Sequence, residues 1–180
     1  MTTEFGRLRT QGFTKQLPRS EMEQAIDGFL KSCNICVLCT TNGQRPRATP
    51  IEYYARGLTI YISAGPGIKL ENIKVNPEVS IGIYNTPFTD WTNWEDVKGI
   101  QMTGRADLIT REKPGYLDAL DAYDWKPYYK ALGRPTDKVP MERTIIKVTP
   151  SRIEFRDLGL LNQGYAVKQI WEAGKSVSNG

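Results

Sequence analysis

The chain has no histidine among its 180 residues. That removes the commonest general base, the usual fourth ligand of a three-cysteine zinc site and the usual axial ligand of haem. Cysteine is scarce as well: three residues, all inside the stretch CNICVLCTTNG, spaced C-x-x-C-x-x-C. So few cysteines exclude a disulfide scaffold and agree with a reducing compartment. The stretch alternates through β-branched residues up to Asn42-Gly43, the pattern of a strand entering a hairpin turn. On a strand Cys36 points to one face and Cys33 and Cys39 to the other, so the three thiols cannot close on one ion. They read as small buried hydrophobes, and no metal is expected.

Long apolar runs are also missing. No stretch approaches the roughly twenty residues that span a bilayer, and MTTEFGRLRTQGFTKQLPRS has no apolar core of a signal peptide. A cytoplasmic protein without membrane contact is expected. Nor is there an excess of one charge: the net +4 is spread along the chain with acidic residues interleaved. This argues against a nucleic-acid surface and is compatible with one small anionic ligand.

What is present is patterning for one domain. Residues 1–19 read as an irregular arm, and 158–180 as a C-terminal segment ending in a loose tail, AGKSVSNG. Between them, Ser20 followed by Glu23 predicts a capping box that opens a helix to about residue 32, with Met22, Ile26, Phe29 and Leu30 on one face. Residues 34–41, 45–55 and 58–63 predict an antiparallel meander turned at Asn42-Gly43 and Arg56-Gly57. After Gly65-Pro66-Gly67, the segment IKLENIKVN predicts a short helix with Ile68, Leu70 and Ile73 inward, stopped by Pro77. Strands at 78–84 and 97–109 follow, and Gly104 in the second marks a bulge or a close backbone approach. Residues 111–132 predict helix interrupted near Pro127, and 143–148 with 152–157 predict a last hairpin around Thr149-Pro150-Ser151. The fold class expected is mainly β: a six- to seven-stranded antiparallel barrel with flanking helices, closed because closure removes sheet edges.

Two stretches carry candidate chemistry. IYISAGPGIKLENIKVNPEVS runs from a strand through a glycine loop into a helix with Lys69 in its first turn. Free backbone N–H groups, the positive end of the helix and a full charge converge there, as at a phosphate site. RPRATPIEYY supplies Arg47, whose planar fork suits phosphate oxygens. Each residue also has a plainer reading: a solvated lysine on a loop, a solvated strand arginine, Tyr61 as a core aromatic and Thr49 as an ordinary β-former. Pro50, without an N–H, must lie at a sheet edge or a bulge.

Taken in order, the helix, TTNGQRPRATP, LTIYIS, the K-x-x-N-I-x-x-N-P-x-V-S run of residues 69–80 and the later strand IQMTGRADLI resemble the pyridoxamine 5'-phosphate oxidase-like family of FMN-binding split barrels. The resemblance covers residues 20–157 and implies an FMN-binding split-barrel domain there. It implies that Arg47 and Lys69 bind the flavin phosphate. Ala48, Thr49 and Pro50 would line the isoalloxazine ring, and Tyr61, Ile62 and Ser63 would reach the ribityl chain and phosphate. It further implies a homodimer with flavin at the seam, and an oxidoreductase moving electrons between a nicotinamide donor and a small-molecule substrate. Trp91, Trp94 and Trp171 have faces suited to a flavin ring, and the loop TPFTDWTNW is placed to cover a partner chain. Glu52, Glu71 and Asp90 form no acid and base pair, so no catalytic residue is assigned.

Departures from the family pattern limit what carries over. LGLLNQGYAVKQIWEAG does not reproduce the C-terminal segment that holds the pyridoxal substrate, and no arginine follows Arg156. The family's flavin-contacting glutamine falls on Gly99. Pyridoxamine 5'-phosphate oxidase activity itself is therefore not expected. Two other readings stay open: a flavin carrier or sensor without turnover, and a deazaflavin-dependent reductase, because GQRPRATP is similar to a strand motif of related split barrels.

Overall fold

A computed structural model describes residues 3–85, 90–139 and 143–175. Helix α1 (Glu4–Thr10) lies in the arm expected to be irregular. Helix α2 (Arg19–Ser32) buries Met22, Ile26, Phe29 and Leu30, the stripe the sequence predicts. Burial of four such side chains contributes on the order of 10 kcal/mol before the entropy of ordering them. The Ser20–Glu23 capping box does not form. The helix starts earlier, on Pro18, and the Glu23 carboxylate instead meets the Arg19 guanidinium at 2.9 Å and the Trp171 indole N–H at 2.7 Å.

The strands are β1 (Ile35–Thr41), β2 (Pro46–Glu52), β3 (Tyr54–Arg56), β4 (Thr59–Ala64), β5 (Glu78–Tyr84), β6 (Lys98–Ile109), β7 (Thr144–Asp157) and β8 (Lys168–Glu172). Seven of them follow one antiparallel path, β2-β1-β5-β6-β7-β4-β3, and β8 pairs with β7 outside it. Strand β2 returns to within 8 Å of β4 without joining it by a ladder. The sheet is therefore a curled half-barrel, flanked by helices and open along that seam, which is the split-barrel architecture expected. Inside it lie Leu38, Ile62, Ile81, Met102 and Ile153, covered by α2 and by α3 (Ile68–Val75).

Several boundaries differ from the sequence reading. Residues 42–45 form a four-residue loop, because Thr41 pairs with Pro46; Thr41 Oγ1 accepts from Gly43 N and Asn42 Oδ1 accepts from Gln44 N. The expected strand over 45–55 divides at Tyr53, whose N–H donates to Asn34 O and whose hydroxyl donates to Leu30 O at 2.8 Å. Ile68 faces solvent, while Leu70 and Ile73 are buried. The helical stretch splits into α4 (Tyr116–Ala122) and α5 (Lys126–Ala131) at Asp124, which has a positive φ; Pro127 lies in the first turn of α5, where its missing N–H is harmless.

The last expected hairpin is a single strand. β7 runs straight through Thr149-Pro150-Ser151, and the missing N–H of Pro150 is absorbed by a register shift opposite Thr103 and Gly104. Its first half pairs with β4 and its second half with β8. Beyond it, residues 158–163 make a 3₁₀ turn whose Leu158 and Leu161 pack with Leu8 and Trp94. A further cluster under α4 and α5 holds Tyr61, Tyr116, Leu120, Tyr123 and Ile145 on the outer side of the barrel. Among the described residues no helix is long and apolar enough to cross a membrane.

Candidate functional site

Arg47 and Lys69 each neighbour, through strand pairing or one helical turn, one of the two residues of a buried hydrogen bond. Arg47 on β2 lies directly opposite Thr40 on β1, and directly opposed residues share a face with Cβ atoms about 5 Å apart. The hydroxyl of Thr40 accepts from the Asn72 side-chain amide at 3.1 Å, and both residues are buried. Asn72 belongs to α3, where Lys69 stands three residues earlier and so on the same face. The Thr40–Asn72 bond thus ties the middle of α3 to β1, the strand whose Thr40 Arg47 faces from β2. Neither cation takes part in an ion pair among the described residues.

Helix α3 begins at Gly67, whose φ of +151° disfavours any other residue, and no side chain caps it. The Leu70 and Glu71 N–H groups both turn back to Gly67 O, so the amides at the very start of the helix have no carbonyl one turn behind them. A third feature is the Thr49 hydroxyl on β2. The oxygen is buried and has no hydrogen-bond partner among the described residues, an uncompensated polar atom of the kind a ligand can satisfy. Arg47, Lys69, the amides at the start of α3 and the Thr49 hydroxyl are groups whose chemistry would fit a phosphomonoester carried on a larger polar body.

The other expected residues divide between faces. Arg47 and Thr49 share the face of buried Thr40 and Leu38, whereas Ala48 and Pro50 point to the opposite, exposed side. Pro50 does lie on an edge strand, since β2 ends the sheet path. Tyr61 and Ser63 are directed to the outer side of β4, Tyr61 into the cluster under α4 and α5, while Ile62 points into the barrel. Strand β4 runs into the Gly65–Gly67 loop, so it is backbone more than side chain that it brings to the site. Trp94 is buried against Phe5 with ring centroids 4.7 Å apart, and Trp171 is a barrel residue anchored to Glu23. Trp91 is exposed and stacks on Phe5. Part of the aromatic loop, residues 86–89, lies outside the described residues.

Gly99 faces the outer side of β6 and lines a cavity of about 640 Å³ with Val37, Gly82, Tyr84 and Gln101. Cys36 is buried in the core and Cys39 lies on the opposite face of β1, as the alternation predicts, whereas Cys33 precedes the strand as the C-cap of α2 and packs against the same core as Cys36. Burial, assisted by Glu52 and Cys39, pushes the Cys36 thiol up to about 12. The sequence did not point to Thr40, Asn72 or Glu52 as a working group. The K-x-x-N spacing was the available signal for Asn72; the Glu52 carboxylate accepts from the Tyr123 hydroxyl at 3.2 Å, across 71 residues of chain, and no local pattern announces that.

Residues 22–157 match the family model described as pyridoxamine 5'-phosphate oxidase. The chain belongs to this family. Among solved structures it is similar to a protein of Listeria innocua provisionally named a pyridoxamine 5'-phosphate oxidase, at 23% identity over 74% of this chain and 97% of that one, with a TM-score of 0.58. It is also similar to an FAD-binding protein of Mesorhizobium loti, at 16% identity over 77% and 94% of the two chains, TM-score 0.58. A haem-binding protein of Mycobacterium smegmatis aligns at 16% identity over 88% of this chain and 60% of that one, TM-score 0.60. Identities this low establish the fold alone. A comparison with curated proteins returned no match.

Proposed function

We propose that the chain is an FMN-binding flavoprotein, an oxidoreductase acting on a small molecule with a nicotinamide donor, and a homodimer. The observation that carries the reading is that Arg47 faces Thr40 and Lys69 lies one helical turn before Asn72, the two residues joined by a buried hydrogen bond, with both cations free of ion pairs among the described residues. A guanidinium fork and an ammonium together neutralise a phosphomonoester dianion, and the amides at the helix start add directed donors. Thr49, Ala48 and Pro50 continue along β2 and would flank the ring system, with Tyr61, Ile62 and Ser63 of β4 leading toward the phosphate. FMN, when bound, would supply the electron and hydride chemistry. The chain's own part is to bind it, orient it and exclude water.

The outer sheet surface supports the dimer. Ile35 is 53% and Tyr84 65% exposed on neighbouring strands, and the cavity containing Gly99 opens beside them. A second chain over this surface would bury that apolar area.

Formation of pyridoxal 5'-phosphate is not part of the proposal. It needs a second phosphate cluster, and the two lysines after Asp157 are engaged already: Lys168 with Glu154 at 3.0 Å and Lys175 with Glu172 at 2.7 Å. Titration of the purified protein with FMN, followed by flavin fluorescence, tests the central claim. Lys69→Ala is expected to weaken FMN by about ten- to a hundredfold, the loss of one charge-assisted hydrogen bond, and to leave riboflavin affinity unchanged. Unchanged flavin fluorescence on titration rejects the reading. NADH or NADPH bleaching the bound flavin supports a reductase, whereas no reaction with either favours a carrier.

A further inference from the structure

A second cleft lies where the end of α2 and the β2–β3 junction meet the α4–α5 corner. It has a volume of about 530 Å³ and is lined chiefly by Tyr53, Tyr54, Tyr123, Tyr128, Glu52 and Lys31. That is the size range of small-molecule sites. We propose that this cleft binds an organic cation, a protonated amine carried on an aromatic or short apolar body.

The charge balance points to a cation. Lys31 is committed to Asp27 at 2.6 Å. Glu52 belongs to no ion pair among the described residues, and its partner is the Tyr123 hydroxyl at 3.2 Å. Burial first, and the Glu52 charge second, raise the Tyr123 phenol, and burial raises that of Tyr53, so neither tyrosine adds a negative charge at neutral pH. The Glu52 carboxylate therefore faces a wall of aromatic rings, with the Arg143 guanidinium the other charge that acts on the Tyr123 phenol. Tyr53 and Tyr123 are buried, while Tyr54 and Tyr128 stand partly exposed at the rim, and Tyr54 meets Tyr123 edge to face at 5.3 Å. Aromatic faces with one carboxylate suit an ammonium, which gains from the ring quadrupoles and the ion pair together. The Tyr128 ring already attracts a cation: the Arg143 guanidinium lies 5.2 Å from its centroid.

Glu52 projects from the same face of β2 as Pro50, one step along, or about 7 Å. The cleft thus adjoins the strand proposed to line the flavin ring. That adjacency rests on the flavin reading; the binding of the amine does not.

The test uses the full chain without added flavin and three ligands of one shape: phenethylamine, phenethyl alcohol and phenylacetate, titrated by calorimetry. The amine is expected to bind about tenfold or more tighter than the alcohol, with phenylacetate weakest. Glu52→Gln, which keeps the hydrogen bond to Tyr123, is expected to reduce the amine to the affinity of the alcohol. Tyr128→Leu, probing the wall independently of Glu52, is expected to weaken the amine more than the alcohol, because only the cation loses a ring quadrupole, with melting curves confirming that both variants fold. Equal affinities for amine and alcohol, or no binding of the amine at about 10 mM, would overturn the proposal, as would an amine affinity untouched by Glu52→Gln. Lys69→Ala is expected to leave the amine titration unchanged, so failure of the flavin reading is distinguishable from failure of this one.

Discussion

Gly104 is where two backbones come too close for any side chain. A Cβ there would collide with the Thr149 carbonyl and sit 2.9 Å from Pro150 Cα, because β6 and β7 shift register at this point. The backbone of a paired strand cannot withdraw without breaking its ladder. Gly104→Ala is therefore expected to destabilise the fold by about 3 kcal/mol, read as a lower urea midpoint with an unchanged slope. Wild-type stability in that variant would mean that the bulge yields freely. Asn72 is the second residue on which much rests. Removing its amide leaves the Thr40 hydroxyl buried without this partner, so Asn72→Ala is expected to cost about 1 to 3 kcal/mol. Under the proposed flavin reading it is also expected to weaken FMN, since Asn72 stands one helical turn from Lys69.

At the level of elements, β8 shows how a polar residue can lock a strand. Gln169 is fully buried; its side-chain oxygen accepts from Leu17 N at 2.7 Å and its amide donates to Ala166 O at 2.6 Å. Gln16 adds two further bonds to the same strand, donating to Lys168 O and accepting from Ile170 N. The residues before α2 are thereby tied to β8. Gln169→Ala opens a cavity and orphans two backbone groups, which together should cost about 2 to 4 kcal/mol. Hydrogen exchange is expected to accelerate first in residues 15–17 and in β8, ahead of β1 and β5. Uniform exchange across the molecule would argue that β8 is not a separable unit.

The whole molecule carries an alkaline liability. Cys36 is raised from 9.0 to about 12, and the Tyr53 and Tyr123 phenols are raised above their ordinary 10.0, all chiefly by burial. Below about pH 8 both folded and unfolded chains hold these protons, and their contribution is constant. Above it the unfolded chain releases them first, so it binds fewer protons than the folded chain and stability falls as pH rises toward the folded values. Urea midpoints are expected to drop between about pH 8 and about pH 10.5, with a shallower drop in Tyr53→Phe, provided it folds. A flat profile would show that these groups ionise without unfolding. Light scattering of the FMN-loaded protein gives the assembly state; a monomer would contradict the proposed dimer.

The sequence by itself determined the period of each segment. Alternation along residues 34–41, the stripe of α2, the edge position of Pro50 and the close approach at Gly104 are local consequences of side-chain spacing and missing atoms, and each is found in the structure. The capping box failed because Glu23 had a stronger use at Trp171, far along the chain. The hairpin at Pro150 failed because a turn signal can equally be absorbed as a bulge when the strand alongside has a glycine to receive it. β8 was missed because a glutamine at a core position reads as surface until its two partners are known. The candidate site divides the same way. Arg47 and Lys69 are recognisable as phosphate-binding types, but the bond between their neighbours Thr40 and Asn72, and the pairing of Glu52 with Tyr123, depend on contacts between residues tens of positions apart. Local spacing sets which way a side chain points along its own element; only closure of the sheet decides what it finds there.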